Sequence, residues 1–446
     1  MMAVGYGTER STHTGILAAA EAASPVASVD VVAHELRRRF GATSVSFLIT
    51  DMTGQAVVRL STAGEVGTTE SAERVGLSGT VYGDVIRTQR LRLADAVDGD
   101  GGQRVIAPVT NRGDPIGLLE VRVPGGPSTR TLREISRAAH TLAYIVIANR
   151  RFTDLYQWGR RTSPVSLAAE IQHNLLPSSL SCEAAQFAVA GALEPAGNVG
   201  GDTFDYALER EVLHLSVTDA MGHDVKAALI ASLLVGALRG ARRERCELAE
   251  QARRAHRAML DHSDGALATG LLLRVGLGDG RVELVNAGHP WPLLLRDGGV
   301  REVRLAVDLP FGVRFPHGYR VQRLGLRPGD RLVILTDGML DHRSEIAHLF
   351  PLIAGTGGLH PREAAQVLTT AVLEAHRGDL RDDATVMCMD WYGPGAMRLN
   401  ADTGASLTQA SPAALPSHRH RMRLPASGAD GAPGDRGRAD GATGKS

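Results

Sequence analysis

Val212-Leu213-His214-Leu215-Ser216-Val217-Thr218-Asp219-Ala220-Met221-Gly222-His223 is the stretch on which the fold turns. Its first half is an apolar run with the composition of a strand. The run ends in a carboxylate, Asp219, with Gly222 shortly after it. A strand fixes the direction of the side chain at its end, and a neighbouring glycine lets backbone approach closely. The same device recurs outward along the chain. Upstream, Gly200-Gly201-Asp202 follows Val199. Downstream, Asp337-Gly338 closes Leu332–Leu335 after the turn Pro328-Gly329-Asp330, and Asp382-Asp383 immediately precedes Ala384–Met389.

Around these carboxylates the pattern predicts further strands over Ala268–Val275, Arg281–Asn286 and Pro292–Arg296. It predicts helices over Leu167–Leu175, Val225–Arg242, Leu248–Asp261 and Pro361–Glu374. A separate unit begins near Ser28. Val29–Phe40 has helical spacing, Ser44–Thr50 and Gln55–Ser61 read as strands, and Val105–Thr110 with Ile116–Val123 make a hairpin around Asn111-Arg112-Gly113-Asp114. Thr129–Trp158 reads as one long helix with an apolar stripe through Leu132, Ile135, Ala139, Leu142, Ile145 and Ile147. The expected division is a flexible N-terminus at 1–27, an α/β unit at 28–150, a linker helix at 151–178, the carboxylate-bearing unit at 179–392 and a disordered tail at 393–446. Gly, Ala, Pro, Ser and charged residues dominate that tail and cannot offset backbone ordering entropy.

With 446 residues, 43% hydrophobic and 22% charged, the chain has an ordinary globular balance and room for two or three domains. Lys+Arg and Asp+Glu are both 49, so the formal net charge is zero. A protein built to grip phosphate backbones carries a basic excess, so nucleic acid is not an expected partner. Cys182, Cys246 and Cys388 are far apart, which excludes a disulfide scaffold and a cysteine zinc site and fits a reducing compartment. Met1–Ser24 lacks a basic segment followed by a long apolar one, so no signal peptide is expected. Leu142–Ala148 and Ala227–Leu238 are the longest apolar stretches, and both fall short of the ~20 residues that cross a bilayer. A cytoplasmic protein with no membrane partner is expected.

Several carboxylates converging in one cleft repel each other unless a cation sits between them. All-oxygen donors suit Mg²⁺ or Mn²⁺ rather than Zn²⁺ or Cu²⁺. Two such ions ionise a bound water and neutralise a phosphoryl group in transfer. Any one of these aspartates, taken alone, is more often a turn residue or helix cap. His289, taken alone, satisfies a local hydrogen bond. Only their joint order points to a shared site.

That order is Ile171-Gln172-His173-Asn174-Leu175-Leu176-Pro177, Val199-Gly200-Gly201-Asp202, Asp219-Ala220-Met221-Gly222-His223, Asn286-Ala287-Gly288-His289-Pro290, Pro328-Gly329-Asp330-Arg331-Leu332 with Thr336-Asp337-Gly338, and Asp382-Asp383-Ala384-Thr385. Taken together these segments resemble the stage-II sporulation (SpoIIE-like) type of metal-dependent serine/threonine phosphatases, relatives of protein phosphatase 2C, over roughly Leu167 to Trp391. The resemblance implies an α/β (α+β) architecture, a four-layer α-β-β-α sandwich with metals at one end between its sheets. It implies that Asp202, Asp219, Asp337 and Asp382 are the catalytic metal-binding carboxylates for two Mn²⁺ or Mg²⁺ ions. The resemblance further implies the carbonyl of Ala220 as an additional ligand, Asp219 as the bridging one, and Asp383 as binding a looser third ion or supporting the loop. Asp224 stands where the family usually has glycine and Leu267 where it has phenylalanine, and Asp341 supplies the acidic residue often found after Asp337-Gly338.

The α/β unit at 28–150 resembles a GAF sensory domain that binds a small ligand, with Leu167–Leu175 as a helix relaying its state. The activity implied is hydrolysis of phosphoserine or phosphothreonine on a phosphorylated anti-sigma-factor antagonist. The alternative is a catalytically silent phosphatase-fold docking module in a sigma-factor network. The apolar stripe of Thr129–Trp158 predicts a parallel homodimer.

Overall fold

The computed structural model describes residues 10–60, 73–95, 102–160, 166–196, 200–222, 224–340, 348–377 and 380–396. Val199, His223, Asp341 and most of the tail lie outside the described residues. All the named strand pairs are antiparallel.

The N-terminal half contains α1 (Arg10–Ala22), α2 (Ser28–Phe40), β1 (Ser44–Thr50), β2 (Ala56–Leu60), β3 (Arg74–Gly76), α3 (Val81–Thr88), β4 (Arg92–Asp95), β5 (Gln103–Asn111), β6 (Asp114–Val123) and α4 (Thr129–Asn149). Its sheet runs β3-β2-β1-β6-β5-β4. Alternation along β1 decides the two faces. Phe47 and Ile49 point toward α1, α2 and α4, while Leu48 points toward Val85 and Ile86 of α3.

Three expectations for this half need correction. The stretch expected to be loose carries α1, because Ile16 and Ala20, one turn apart, are buried in the same core as α2 and α4. The single helix over Thr129–Trp158 is interrupted. After α4 ends at Asn149, Thr153 Oγ1 accepts the N–H of Leu155 at 3.1 Å and starts a new helix, α5 (Leu155–Arg160). The α4 stripe that suggested pairing of two copies is consumed at home: Ile135, Ala139, Leu142 and Ile145 are all buried in their own half's core.

The C-terminal half begins with α6 (Leu167–Leu175), β7 (Ser181–Glu183), β8 (Phe187–Glu194), β9 (Asp202–Leu208) and β10 (Val212–Ala220), then α7 (Asp224–Arg243) and α8 (Leu248–His262). It continues with β11 (Ala268–Gly276), β12 (Arg281–Ala287), β13 (Leu293–Arg296), β14 (Gly299–Glu302), β15 (Gln322–Gly325) and β16 (Arg331–Leu335), then α9 (Leu349–Gly355), α10 (Pro361–Ala375) and β17 (Ala384–Trp391). One sheet runs β15-β12-β11-β10-β9 and the other β14-β13-β16-β17-β8-β7. Inward residues of both sheets, among them Phe187, Phe204, Val217, Leu273, Ile334, Met389 and Trp391, form the central core. The outer face of the first sheet packs on α7 and α8, and that of the second on α9 and α10. The result is the four-layer α-β-β-α sandwich that the resemblance implies. Both halves belong to one compact unit of the chain. Among the described residues no helix is long and apolar enough to cross a membrane.

Candidate metal centre

Strand pairing creates the first contact of the site. Asp219, near the end of β10, stands directly opposite Asp202, the first residue of β9. Opposed residues in an antiparallel pair project from one face, a few ångströms apart. Asp202 is 3% exposed. Its Oδ2 accepts from Thr336 Oγ1 at 2.7 Å, and Thr336 Oγ1 in turn accepts the N–H of Thr385 at 3.0 Å. A single threonine thus links the carboxylate of the first sheet to two strands of the second.

The charges feel one another. Burial, then Asp219 and Asp383, push the Asp202 carboxyl well above the usual range. Burial, then Asp337, Asp382 and Asp383, lift Asp219 to about 7. Asp337 opens a 3-10 turn at the end of β16, Asp382 sits just before β17, and both are exposed. The four predicted aspartates therefore meet at one end of the sandwich. Among the described residues no three carboxylate, imidazole or thiol groups stand ready-made as a metal-binding cluster, so the aspartates are gathered without being closed around a point.

Asp383 has a different place from the other four. Its Oδ1 accepts the N–H of Ala196 at 2.9 Å, and its Oδ2 accepts from Gln172 Nε2 at 2.6 Å and from the N–H of Gly201 at 3.1 Å. A buried carboxylate held in this way braces the loop that enters β9. Gln172 also donates to the carbonyl of Asp202 at 2.8 Å. No local spacing marks Gln172 for this role, because its partner Asp383 lies 211 residues away.

Two glycines explain why backbone crowds the site. A Cβ on Gly201 would collide with the carbonyl oxygen of Ala220, and one on Gly338 with the carbonyl oxygen of Asp383. The donors offered are therefore carboxylates and the Ala220 carbonyl, all hard oxygens. The burial of Asp202 and the mutual repulsion of the four carboxylates are what a divalent cation relieves, and the residues fit Mg²⁺ or Mn²⁺.

Beside the aspartates lies an open groove of about 550 Å³ lined by Asp219, Thr269, His289, Trp291, Glu302 and Asp337. Asn286 locks its wall: Asn286 Nδ2 donates to the His289 carbonyl at 2.9 Å, and the His289 N–H donates back to Asn286 Oδ1 at 2.8 Å. The His289 imidazole lies 3.0 Å from Thr269 Oγ1, and burial holds its pKa down to about 3. His289 is a neutral wall residue held by Asn286 and Thr269.

Residues 209–392 match the family model described as stage II sporulation protein E (SpoIIE). The phosphoserine phosphatase RsbP of Bacillus subtilis is 24% identical over 195 residues, covering 42% of this chain and 48% of that protein. The chain thus spans about half the length of this curated relative. The solved RsbU and RsbW domains of a Mycobacterium tuberculosis protein are 25% identical, with a TM-score of 0.43, covering 50% of this chain and 65% of that one. The PP2C phosphatase domain of SpoIIE from Bacillus subtilis, solved with a fragment of its regulatory domain, is 20% identical, with a TM-score of 0.41, covering 47% and 65%.

Proposed function

We propose that the C-terminal half is a metal-dependent phosphatase acting on phosphoserine or phosphothreonine of a small regulatory protein, in the manner of an anti-sigma-factor antagonist. The observation that carries this reading is the Asp202–Asp219 pair set in register, with Asp219 lifted to about 7 by burial and by Asp337, Asp382 and Asp383. Asp202, Asp219, Asp337, Asp382 and the Ala220 carbonyl would hold two Mn²⁺ or Mg²⁺ ions. When bound, such ions supply an ionised water and neutralise phosphoryl charge. The chain's own residues do the positioning. Thr336 orients the Asp202 carboxylate, and Asp383 with Gln172 fixes the Gly201–Asp202 backbone. The open groove along Asp219 and Asp337 leaves room for a phosphorylated segment of another protein.

The N-terminal half is the regulatory part in this reading, with α6 as the element that passes its state to the site. Pairing of two copies would use a surface other than the buried α4 stripe.

The test is hydrolysis of p-nitrophenyl phosphate and of a phosphoserine peptide with Mn²⁺ present and after chelation. Activity is expected only with the metal, and Asp219→Ala and Asp337→Ala are each expected to lose it by about 100-fold or more. Full metal-dependent activity in both variants would overturn the assignment. Calorimetry that detects no Mn²⁺ binding at millimolar concentration would favour a docking module instead.

A further inference from the structure

The seam between the two halves encloses a cavity of about 110 Å³ that the phosphatase reading does not use. Ile49 and Asp51 reach it from β1 and the loop after it, Arg160 from α5, His173 and Leu176 from α6 and its end, and Glu194 from β8. It lies between the halves, and Ile86 is the member of the apolar layer under α3 that lines it.

Its charged groups are unevenly satisfied. Asp51 is occupied: its Oδ1 accepts the N–H groups of Gln55 and Ala56 at 3.0 and 3.2 Å, and its Oδ2 accepts from Thr53 Oγ1 at 3.1 Å. Burial followed by Asp51 lifts Glu194 to about 7, and burial raises Asp114, which with Asp51 supplies the negative charge facing the Arg160 guanidinium. His173 is held down to about 4 by burial and then by Arg160, and is neutral. Arg160 remains a guanidinium whose Nε is buried with no hydrogen-bond partner. An unmade bond on a buried cation is costly, and a planar oxyanion is the group whose geometry matches the guanidinium fork. Arg150 and Arg362 add positive charge to the lining, and Val146, Leu176 and Leu193 give it an apolar stretch.

We propose that this cavity is a binding site for a small carboxylate with a short apolar tail, the carboxylate engaging Arg160 and the tail lying against Val146, Leu176 and Leu193. A cavity of ~150 Å³ accepts benzene, so this one suits a shorter molecule, of the size of butyrate. The occupant would touch α6 at His173 and Leu176. Gln172, the next residue along α6, holds Asp383 and the Asp202 carbonyl. Occupation of the seam is thereby joined to the brace of the metal centre through one short helix.

The test is calorimetric titration of the full chain with butyrate, butan-1-ol and inorganic phosphate, which separate the whole ligand from its tail and its charge. Butyrate is expected to bind the wild type, with Arg160→Gln at least tenfold weaker and the other two probes showing no saturable heat. Leu193→Phe, which fills the cavity and keeps Arg160, is expected to abolish butyrate binding and serves if Arg160→Gln does not fold. Absence of butyrate binding to the wild type, equal binding by either variant, or equal binding of phosphate would overturn the proposal. The readout is binding without metal, so its failure is separable from failure of the phosphatase reading.

Discussion

Gly338 follows Asp337, and the residue packed against it is the brace Asp383, whose carbonyl oxygen occupies the space a side chain would need. Gly338→Ala therefore forces apart the two segments that carry Asp337 and Asp382. The expected cost is about 1–3 kcal/mol of stability, as for overpacking elsewhere, together with loss of metal-dependent activity. Denaturant melts and Mn²⁺-dependent hydrolysis check both. Gly355, which has open space where its Cβ would go, is the control and is expected to tolerate alanine without loss of activity. At this scale the sequence was informative where chemistry is local: an aspartate beside a glycine at a strand end announces itself. It was silent where chemistry is remote. Asp382 and Asp383 are adjacent and chemically identical, and only fold-level hydrogen bonds separate the exposed one from the saturated one.

Among the elements, α6 carries the most consequence for its length. Ser166 caps it, its Oγ accepting the N–H of Ala169 at 3.2 Å, and Pro177 follows soon after its end. Arg239 of α7 donates to the carbonyl of Leu175 at 2.6 Å, so the helix is held at its C-terminus while Gln172 reaches Asp383 and the Asp202 carbonyl. Gln172→Ala removes the donor to Asp383 and to the Asp202 carbonyl. Groups that orient metal ligands typically affect affinity by 10–100-fold when lost, and Mn²⁺ affinity is expected to fall in that range while the far-ultraviolet circular dichroism is unchanged. Affinity equal to wild type would show that α6 only packs. Helices such as α6, α7, α8 and α10 were legible because each buries one face of a 3.6-residue period. β8 and β9 were not. β8 reads Phe-Ala-Val-Ala-Gly-Ala-Leu-Glu, small and buried on both faces, so no alternation shows. β9 contains Asp202 and Asp205, and Asp205 is acceptable there only because Arg239 and Arg242 of α7 pair with it at 3.0 Å.

At the scale of the whole molecule the question is how the two halves hold together, and the answer is polar. The β5–β6 turn enters the C-terminal half. Glu183 N–H donates to the carbonyl of Arg112 at 2.9 Å, Arg362 donates to the carbonyls of Gly113 and Arg87 at 3.1 and 2.9 Å, and Gln366 donates to the carbonyl of Gly54 at 2.8 Å. A polar seam of this kind makes the stability of the joint depend on pH, and Glu194 is the group that reports it. Burial, then Asp51, moves its pKa from 4.5 to about 7. The unfolded chain releases this proton near 4.5, so between about 4.5 and about 7 the folded chain holds a proton that the unfolded chain has lost. Stability therefore falls as pH rises through that window, and the loss is complete above it. Glu194 is partly open to solvent, and after discounting for that the penalty is about 1–2 kcal/mol. Glu194→Gln cannot ionise. It is expected to match the wild type at pH 4 and to exceed it by that amount at pH 8, read from urea melts of the full chain. A difference between the two proteins that stays constant from pH 4 to pH 8 would mean that the Glu194 carboxylate is solvated in the fold and that the seam is open to water at that point.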